Sequence, residues 1–180
     1  MAQVYPQTNI KFPNASERFV YDNLRKLPEN ILVLHSVEYT VKNYDTYDDH
    51  GECDFLILDP ARGLTFIEVK GGSALRIEGN KWEMKSDDVW HKMNTDPFAQ
   101  LRKDFYYFFE EFKLITQRLK DDKKISFRNS PRIQTIACFP FLDKTQLKIL
   151  DNTKYKHENI FTNENFINIY DSYRSIWTKK

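Results

Sequence analysis

Disulfide chemistry has little material in this sequence. Among 180 residues there are two cysteines, Cys53 and Cys138, and both sit inside apolar runs. They read as buried thiols of a reducing compartment, so a cytoplasmic location is expected. Glycine is scarce at 5 and proline modest at 7, which excludes collagen-like and low-complexity classes. No run reaches the roughly 18 apolar residues of a membrane helix, so no membrane partner is expected. The opening MAQVYPQTNIKF has no apolar core segment, so a secretory signal is not expected either. There is no repeat at periods of 20–50 residues. A G-x-x-x-x-G-K-[ST] motif is missing, and with it a P-loop ATPase; so is G-x-S-x-G, and with it a serine-hydrolase elbow. His35, His50, His91 and His157 show no H-x-x-x-H or H-N-H arrangement, and the cysteines no C-x-x-C. Neither a zinc site nor a His-metal nuclease is therefore expected.

Aromatics, by contrast, are abundant: 14 Phe, 10 Tyr and 3 Trp, or 15% of the chain. That argues for a true core, and the length suits one domain, residues 1–180, burying about 70% of its unfolded surface. A net charge of +1 conceals an asymmetry. Residues 1–60 carry 5 basic and 10 acidic side chains, a balance of −5; residues 61–180 carry 22 and 16, a balance of +6. Two readings follow. The surface is unevenly charged but solvated, or an acidic front and a basic rear meet at one site, with carboxylates holding a cation and Lys/Arg facing a polyanion.

Val20, Leu24 and Leu27 follow the helical period over Ser16–Lys26, and Asn14 with Glu17 has capping-box spacing. Ile31–Tyr39, Cys53–Leu58 and Leu64–Val69 read as strands, the last two joined as a hairpin by DPARG. Residues 42–51 read as an acidic loop. Leu75–Glu78 and Lys81–Met84 flank Gly79-Asn80, a two-residue turn signal. A long helix starts near Pro97, with Leu101, Phe105, Phe108, Phe112, Ile115 and Leu119 as its apolar stripe. The charged turn KDDKK follows, then a strand over Arg132–Phe139 and a last helix near Glu164–Trp177. Trp82, Trp90 and the Phe stripe read as core. This mixture predicts an α/β fold with a mixed central sheet flanked by helices.

The segment GECDFLILDPARGLTFIEVKGG, residues 51–72, carries the chemistry. Strand alternation sends Ile67 and Val69 one way and Glu68 and Lys70 the other. It also puts Glu52 and Asp54 on one face. If the two strands pair, Asp54 comes beside Glu68 and Lys70, all opening into one cleft. Two carboxylates can hold a hard divalent ion such as Mg²⁺, which polarises a phosphate oxygen and acidifies a bound water. A neighbouring lysine can orient that water or stabilise the pentacovalent charge. The plain alternative is a charged pair on a solvated edge strand.

Asp54 followed by Glu68-x-Lys70 resembles the PD-(D/E)XK nuclease signature. A longer ordered set resembles the nuclease-related domain, or NERD, family: Glu17 in the early helix, Gly51-Glu52-Cys53-Asp54-Phe55, and Ile67-Glu68-Val69-Lys70-Gly71-Gly72. Trp82, Asp96-Pro97-Phe98-Ala99-Gln100 and Phe139-Pro140 continue it. The likeness spans residues 15–142; Cys53 stands where the superfamily name has proline. It implies a restriction-endonuclease-like fold and metal-dependent DNA cleavage using Mg²⁺, with Mn²⁺ as a substitute. It also implies possible linkage to a helicase or kinase-like region, in this chain or another. By this resemblance Asp54 and Glu68 are metal ligands and Lys70 positions the attacking water. Glu17 is either an auxiliary ligand or only the partner of Asn14 in a cap. Gln100 either contacts the metal-bound water or phosphate, or satisfies its own helix start. Lys81, Lys85, Arg102 and Lys103 either follow a DNA backbone or are ordinary surface charges, and Tyr106 reads as packing, with a DNA contact as the alternative. The rival functions are a non-catalytic nucleic-acid- or protein-binding module on the same fold, and a nuclease acting on RNA.

Overall fold

A computed structural model describes residues 1–7, 10–41, 49–122, 132–155 and 158–178. Most of the acidic loop expected at 42–51, the end of the charged turn after the long helix, and His157 lie outside the described residues. The elements run β1 (Gln3–Tyr5), α1 (Ala15–Leu24), β2 (Leu32–Val41), β3 (Asp49–Asp59), β4 (Gly63–Val69), β5 (Ala74–Glu78), β6 (Lys81–Ser86) and β7 (Val89–Lys92). After these come α2 (Pro97–Asp121), β8 (Ile133–Phe139), β9 (Ile160–Thr162) and α3 (Ile169–Ser175). Six strands form a mixed sheet in the order β1-β2-β3-β4-β8-β9; β5-β6-β7 form a second, smaller antiparallel sheet. In the large sheet β2-β3-β4 are antiparallel, while β1 joins β2, β8 joins β4 and β9 joins β8 in parallel. The fold is thus α/β with a mixed sheet, as the sequence suggests. No helix among the described residues is long and apolar enough to cross a membrane.

Period-two alternation sorts the core onto the two faces of the large sheet. Phe55, Ile57, Ile67, Val69 and Ile136 pack against Val20 and Leu24 of α1 and Ile169 and Tyr173 of α3. Leu56, Phe66, Ala137 and Phe139 pack against Phe98 and Leu101 of α2 and Trp82 and Met84 of the small sheet. The β3–β4 turn is local chemistry: the Asp59 carboxylate accepts from Ala61 N–H at 2.8 Å and from Arg62 at 2.9 Å.

Four details depart from the sequence reading. First, β7 was not foreseen; Asp87 and Asp88, both at positive φ, turn the chain back onto β6. Second, Trp90 is 36% exposed, with the Arg76 guanidinium 4.7 Å from its ring centre, so it is not core. Third, the stripe of α2 is buried only near its start. A 25-residue helix runs about 37 Å, whereas the seven-residue strands beneath it span about 23 Å. Ile115 is accordingly 50% exposed, and Tyr106 is exposed rather than packed. Fourth, the last helix is divided: a 3₁₀ turn over Asn163–Phe166 precedes α3, because the Asn168 side chain caps α3 at Asp171.

Gly72 joins the two sheets. Its φ is +153°, and a Cβ there would lie 2.2 Å from the Met84 side chain and 2.7 Å from the Lys85 carbonyl oxygen. Gly72→Ala should therefore destabilise the protein by about 2 kcal/mol, from backbone strain plus displacement of β6. A urea midpoint equal to that of the unaltered protein would show that β6 yields freely.

Candidate active site

The site forms where the sheet splits. The β3–β4 register runs from Asp59 opposite Gly63 to Phe55 opposite Ile67 and then stops. One further step would face Asp54 with Glu68. Beyond Ile67 strand β4 keeps to β8, since the Lys70 N–H donates to the Cys138 carbonyl at 2.8 Å. The Val69 N–H, turned toward β3, finds no strand carbonyl and donates to Asp54 Oδ2 at 2.7 Å. On the other side of β3 the pairing with β2 skips Ser36 and Asp54, and Ser36 has φ +53°. Asp54 thus occupies a fork in which both ladders are interrupted.

The same defect reverses the side-chain alternation. Cys53 should share the Phe55 face, yet it packs in the cluster of Leu56 on the α2 side. The reversal falls between Cys53 and Phe55, and the Glu52 charge still acts on the Asp54 carboxyl. Glu52 stands opposite Glu38 and, with Tyr107, borders an open groove of about 770 Å³ that Asp54, Glu68 and Lys70 do not line.

Glu68 and Lys70 project toward α2, as alternation requires. Lys70 Nζ lies 2.5 Å from Glu68 Oε1 and donates to Gln100 Oε1 at 3.3 Å. Gln100 is presented by a helix start that Asp96 caps, its carboxylate accepting from Ala99 N–H at 2.8 Å. Gln100 thus serves Lys70 rather than its own backbone. Glu68 is 1% exposed, and its Oε2 has no hydrogen-bond partner among the described residues.

Glu17 comes from the other layer, and both of its readings have support. Asn14 Oδ1 accepts from Glu17 N–H at 2.9 Å, and Asn14 Nδ2 donates to Glu17 Oε1 at 2.8 Å. Its second oxygen lies 3.3 Å from His35 Nε2. The Glu17 charge is nevertheless felt at Asp54. His35, set opposite Phe55 on β2, carries neither zinc nor H-N-H spacing, so the sequence does not mark it as a site neighbour. Asp104 was missed as well. It lies one helical turn after Gln100, is 1% exposed, and accepts from the Tyr39 hydroxyl at 2.6 Å. The i,i+4 spacing from Gln100 is the signal that would have found it.

Burial dominates the acid chemistry. It pushes the Asp54 carboxyl up to about 7, opposed by the Val69 hydrogen bond and reinforced by Glu17. Burial lifts Glu68 to about 8, with the Asp54 charge adding and Lys70 opposing. Asp104 is raised to about 6, again by burial. Lys85 is paired with Asp88 at 2.8 Å, and the Arg102 guanidinium lies 5.8 Å from the Tyr155 ring centre. Lys81 and Lys103 are exposed.

The donor set suits a hard cation in kind: Asp54 and Glu68 supply carboxylate oxygens, and Glu68 Oε2 is buried without a partner. Among the described residues, no three His, Cys, Asp or Glu side chains close around one point as a finished metal site. Glu17, with both oxygens engaged, is not gathered with the other two. Neither a family model, nor a curated protein, nor a solved structure matches the chain.

The raised carboxyls set a pH dependence. The folded state holds their protons more tightly than the unfolded chain does. Their contribution to stability is therefore full at low pH and is lost as pH rises from the ordinary carboxylate range through about 6–8. Glu68→Gln removes one such group. With chelator present, the variant should be the more stable by on the order of 1–3 kcal/mol at pH 8.5, the gap shrinking toward pH 5. Parallel stability-versus-pH curves in urea titrations would show that Glu68 ionises without cost.

Proposed function

We propose that the chain is a divalent-cation-dependent nuclease that hydrolyses DNA phosphodiester bonds, with a restriction-endonuclease-like core resembling the nuclease-related domain family. The observation that carries this reading is Asp54 bonded to the Val69 N–H in the fork, across from the Glu68–Lys70 ion pair. The element order supports it: α1, an antiparallel β2-β3-β4 unit, then α2 leading into β8 parallel to β4. Glu68 is also buried, beside a half-buried Lys70, at a cost that a charged pair on a solvated edge would not incur.

In the proposed reaction Asp54 and Glu68 would hold Mg²⁺ or Mn²⁺, and Glu17, engaged by Asn14 and His35, would add its charge from the α1 side. The bound cation would neutralise phosphate charge and lower the pKa of a water. Lys70 directs its ammonium at the phosphoryl oxygens, where charge grows as the water oxygen bonds to phosphorus and the P–O bond to the sugar breaks. Gln100 takes one Lys70 N–H and so fixes where the ammonium points. The fork supplies orientation, since Asp54 cannot rotate away without abandoning a buried backbone N–H.

Cleavage and binding assays on the same samples test the proposal. Glu68→Gln and Lys70→Ala should each lower Mg²⁺-dependent cleavage at least 100-fold, without additivity in the double variant. DNA affinity should respond in opposite directions: equal or tighter for Glu68→Gln, a few-fold weaker for Lys70→Ala. Affinity should also fall steeply with salt, as counterion release requires. DNA bound but never cut, with any divalent ion and on single or double strands, would favour the non-catalytic module. Cleavage confined to RNA would reassign the substrate.

A further inference from the structure

We infer that Asp104 is a positioning residue of the same site: held by Tyr39, its carboxylate keeps the Lys70 ammonium over Glu68 and strengthens the hold of Asp54 and Glu68 on a cation. The inference rests on the cation-site reading above and extends it to a fourth carboxylate.

Asp104 is placed with unusual care. It follows Gln100 by one helical turn, so both side chains leave the same face of α2. That face packs on β4, whose Lys70 already reaches Gln100 at 3.3 Å. Asp104 Oδ1 accepts from the Tyr39 hydroxyl at 2.6 Å. Tyr39 in turn stacks on Tyr107 at 4.3 Å, and it occupies the space that a Cβ on Gly51 would fill, 2.2 Å from its ring. Gly51 thus makes room for a tyrosine whose hydroxyl steadies the acid.

The other oxygen, Oδ2, is buried and has no hydrogen-bond partner among the described residues. A structural aspartate at such a depth would use both oxygens. Asp104 instead leaves one bare; the charges of Lys103 and Lys70 act on it, and its own charge acts on Glu68. A buried fixed charge of this kind disfavours the empty fold and favours any cation near it. Three cations qualify: the exposed Lys103 ammonium next to it in the chain, the Lys70 ammonium, and a divalent ion at the neighbouring carboxylates. The clamp is one-sided, because Tyr39 holds the acid from the α2 face of β2 while Asp54 is held from the fork.

The experiment titrates Mn²⁺ into the full chain by calorimetry and measures cleavage against metal concentration. Asp104→Asn keeps the shape and an oxygen for Tyr39 but removes the charge. It should weaken Mn²⁺ binding about tenfold and raise the half-activating metal concentration in step, while cleavage at saturating metal falls less than fivefold. Without metal it should melt at or above the temperature of the unaltered protein. Asp104→Ser, also neutral, should repeat the loss if the Asn variant folds poorly. Tyr39→Phe keeps the charge but loosens the acid, so its Mn²⁺ affinity should fall about threefold, less than that of Asp104→Asn. Equal weakening by Asp104→Asn and Tyr39→Phe would reduce Asp104 to packing and overturn the inference. So would wild-type affinity in both neutral variants, and this would leave the cation site itself standing. No Mn²⁺ binding by the unaltered protein would overturn both readings.

Discussion

One hydrogen bond, from Val69 N–H to Asp54 Oδ2, decides how the middle of this protein is built. A sheet of continuous ladders would leave no room for a side chain between its strands. Here β4 parts from β3 after Ile67 and stays with β8, so a buried N–H is left facing an acid instead of a carbonyl. Such a group must be satisfied, and Asp54 satisfies it. The bond holds the fork open and fixes the acid at once. Charges from both layers act on this one residue, Glu17 from the α1 side and Lys70 from the α2 side.

The cost of this arrangement is distributed over the rest of the fold. Three buried carboxyls with raised affinity for protons, and a strand serine at positive φ, all oppose folding. Two apolar clusters, one on each face of the sheet, offset them. The site is placed where those clusters are closest to the fork: Phe55 and Ile67 lie beneath it on one side, Cys53, Leu56 and Phe66 on the other. Strain at the site is tolerable because the strands that carry it are pinned one residue away.

The sequence made this fold legible where local physics suffices. Val20, Leu24 and Leu27 announced α1; Asp59-Pro60 marked the hairpin; Pro97 marked the start of α2. Glu68 and Lys70 on one face, with Ile67 and Val69 on the other, followed from period two alone. What stayed hidden depends on breaking that period. Nothing in SVEYT announces a left-handed Ser36, so the reversal at Cys53 could not be foreseen. Asp104 and His35 were missed for a related reason. His35 matters through Glu17 and Asp104 through Tyr39, partners 18 and 65 residues away; helical spacing from Gln100 marks Asp104 as a candidate but does not reveal the tyrosine that holds it. The exposed end of α2 and the partly exposed Trp90 show the complementary limit: an apolar pattern states what a residue could cover, and the length of the neighbouring strands decides whether anything lies beneath it.

The acidic front and basic rear of the chain did not separate into two walls. Glu17 and Asp54 come from the front, but Glu68 and Asp104 come from the rear beside Lys70. The centre is therefore dominated by carboxylates, with one lysine in contact with Glu68. An anionic phosphate approaching such a centre is repelled unless positive charge precedes it. Protonation at Asp54 and Glu68 lowers that repulsion, and a divalent cation abolishes it locally. In the proposed enzyme this orders the events: the cation would displace protons from the acids before the phosphate settles for reaction, so a centre with ionised acids and no cation is a poor catalyst. Lys70 alone cannot substitute, because its charge is already committed to Glu68 and directed by Gln100. The same three carboxyls that burden the fold would then act as the lock that makes cleavage conditional on the metal.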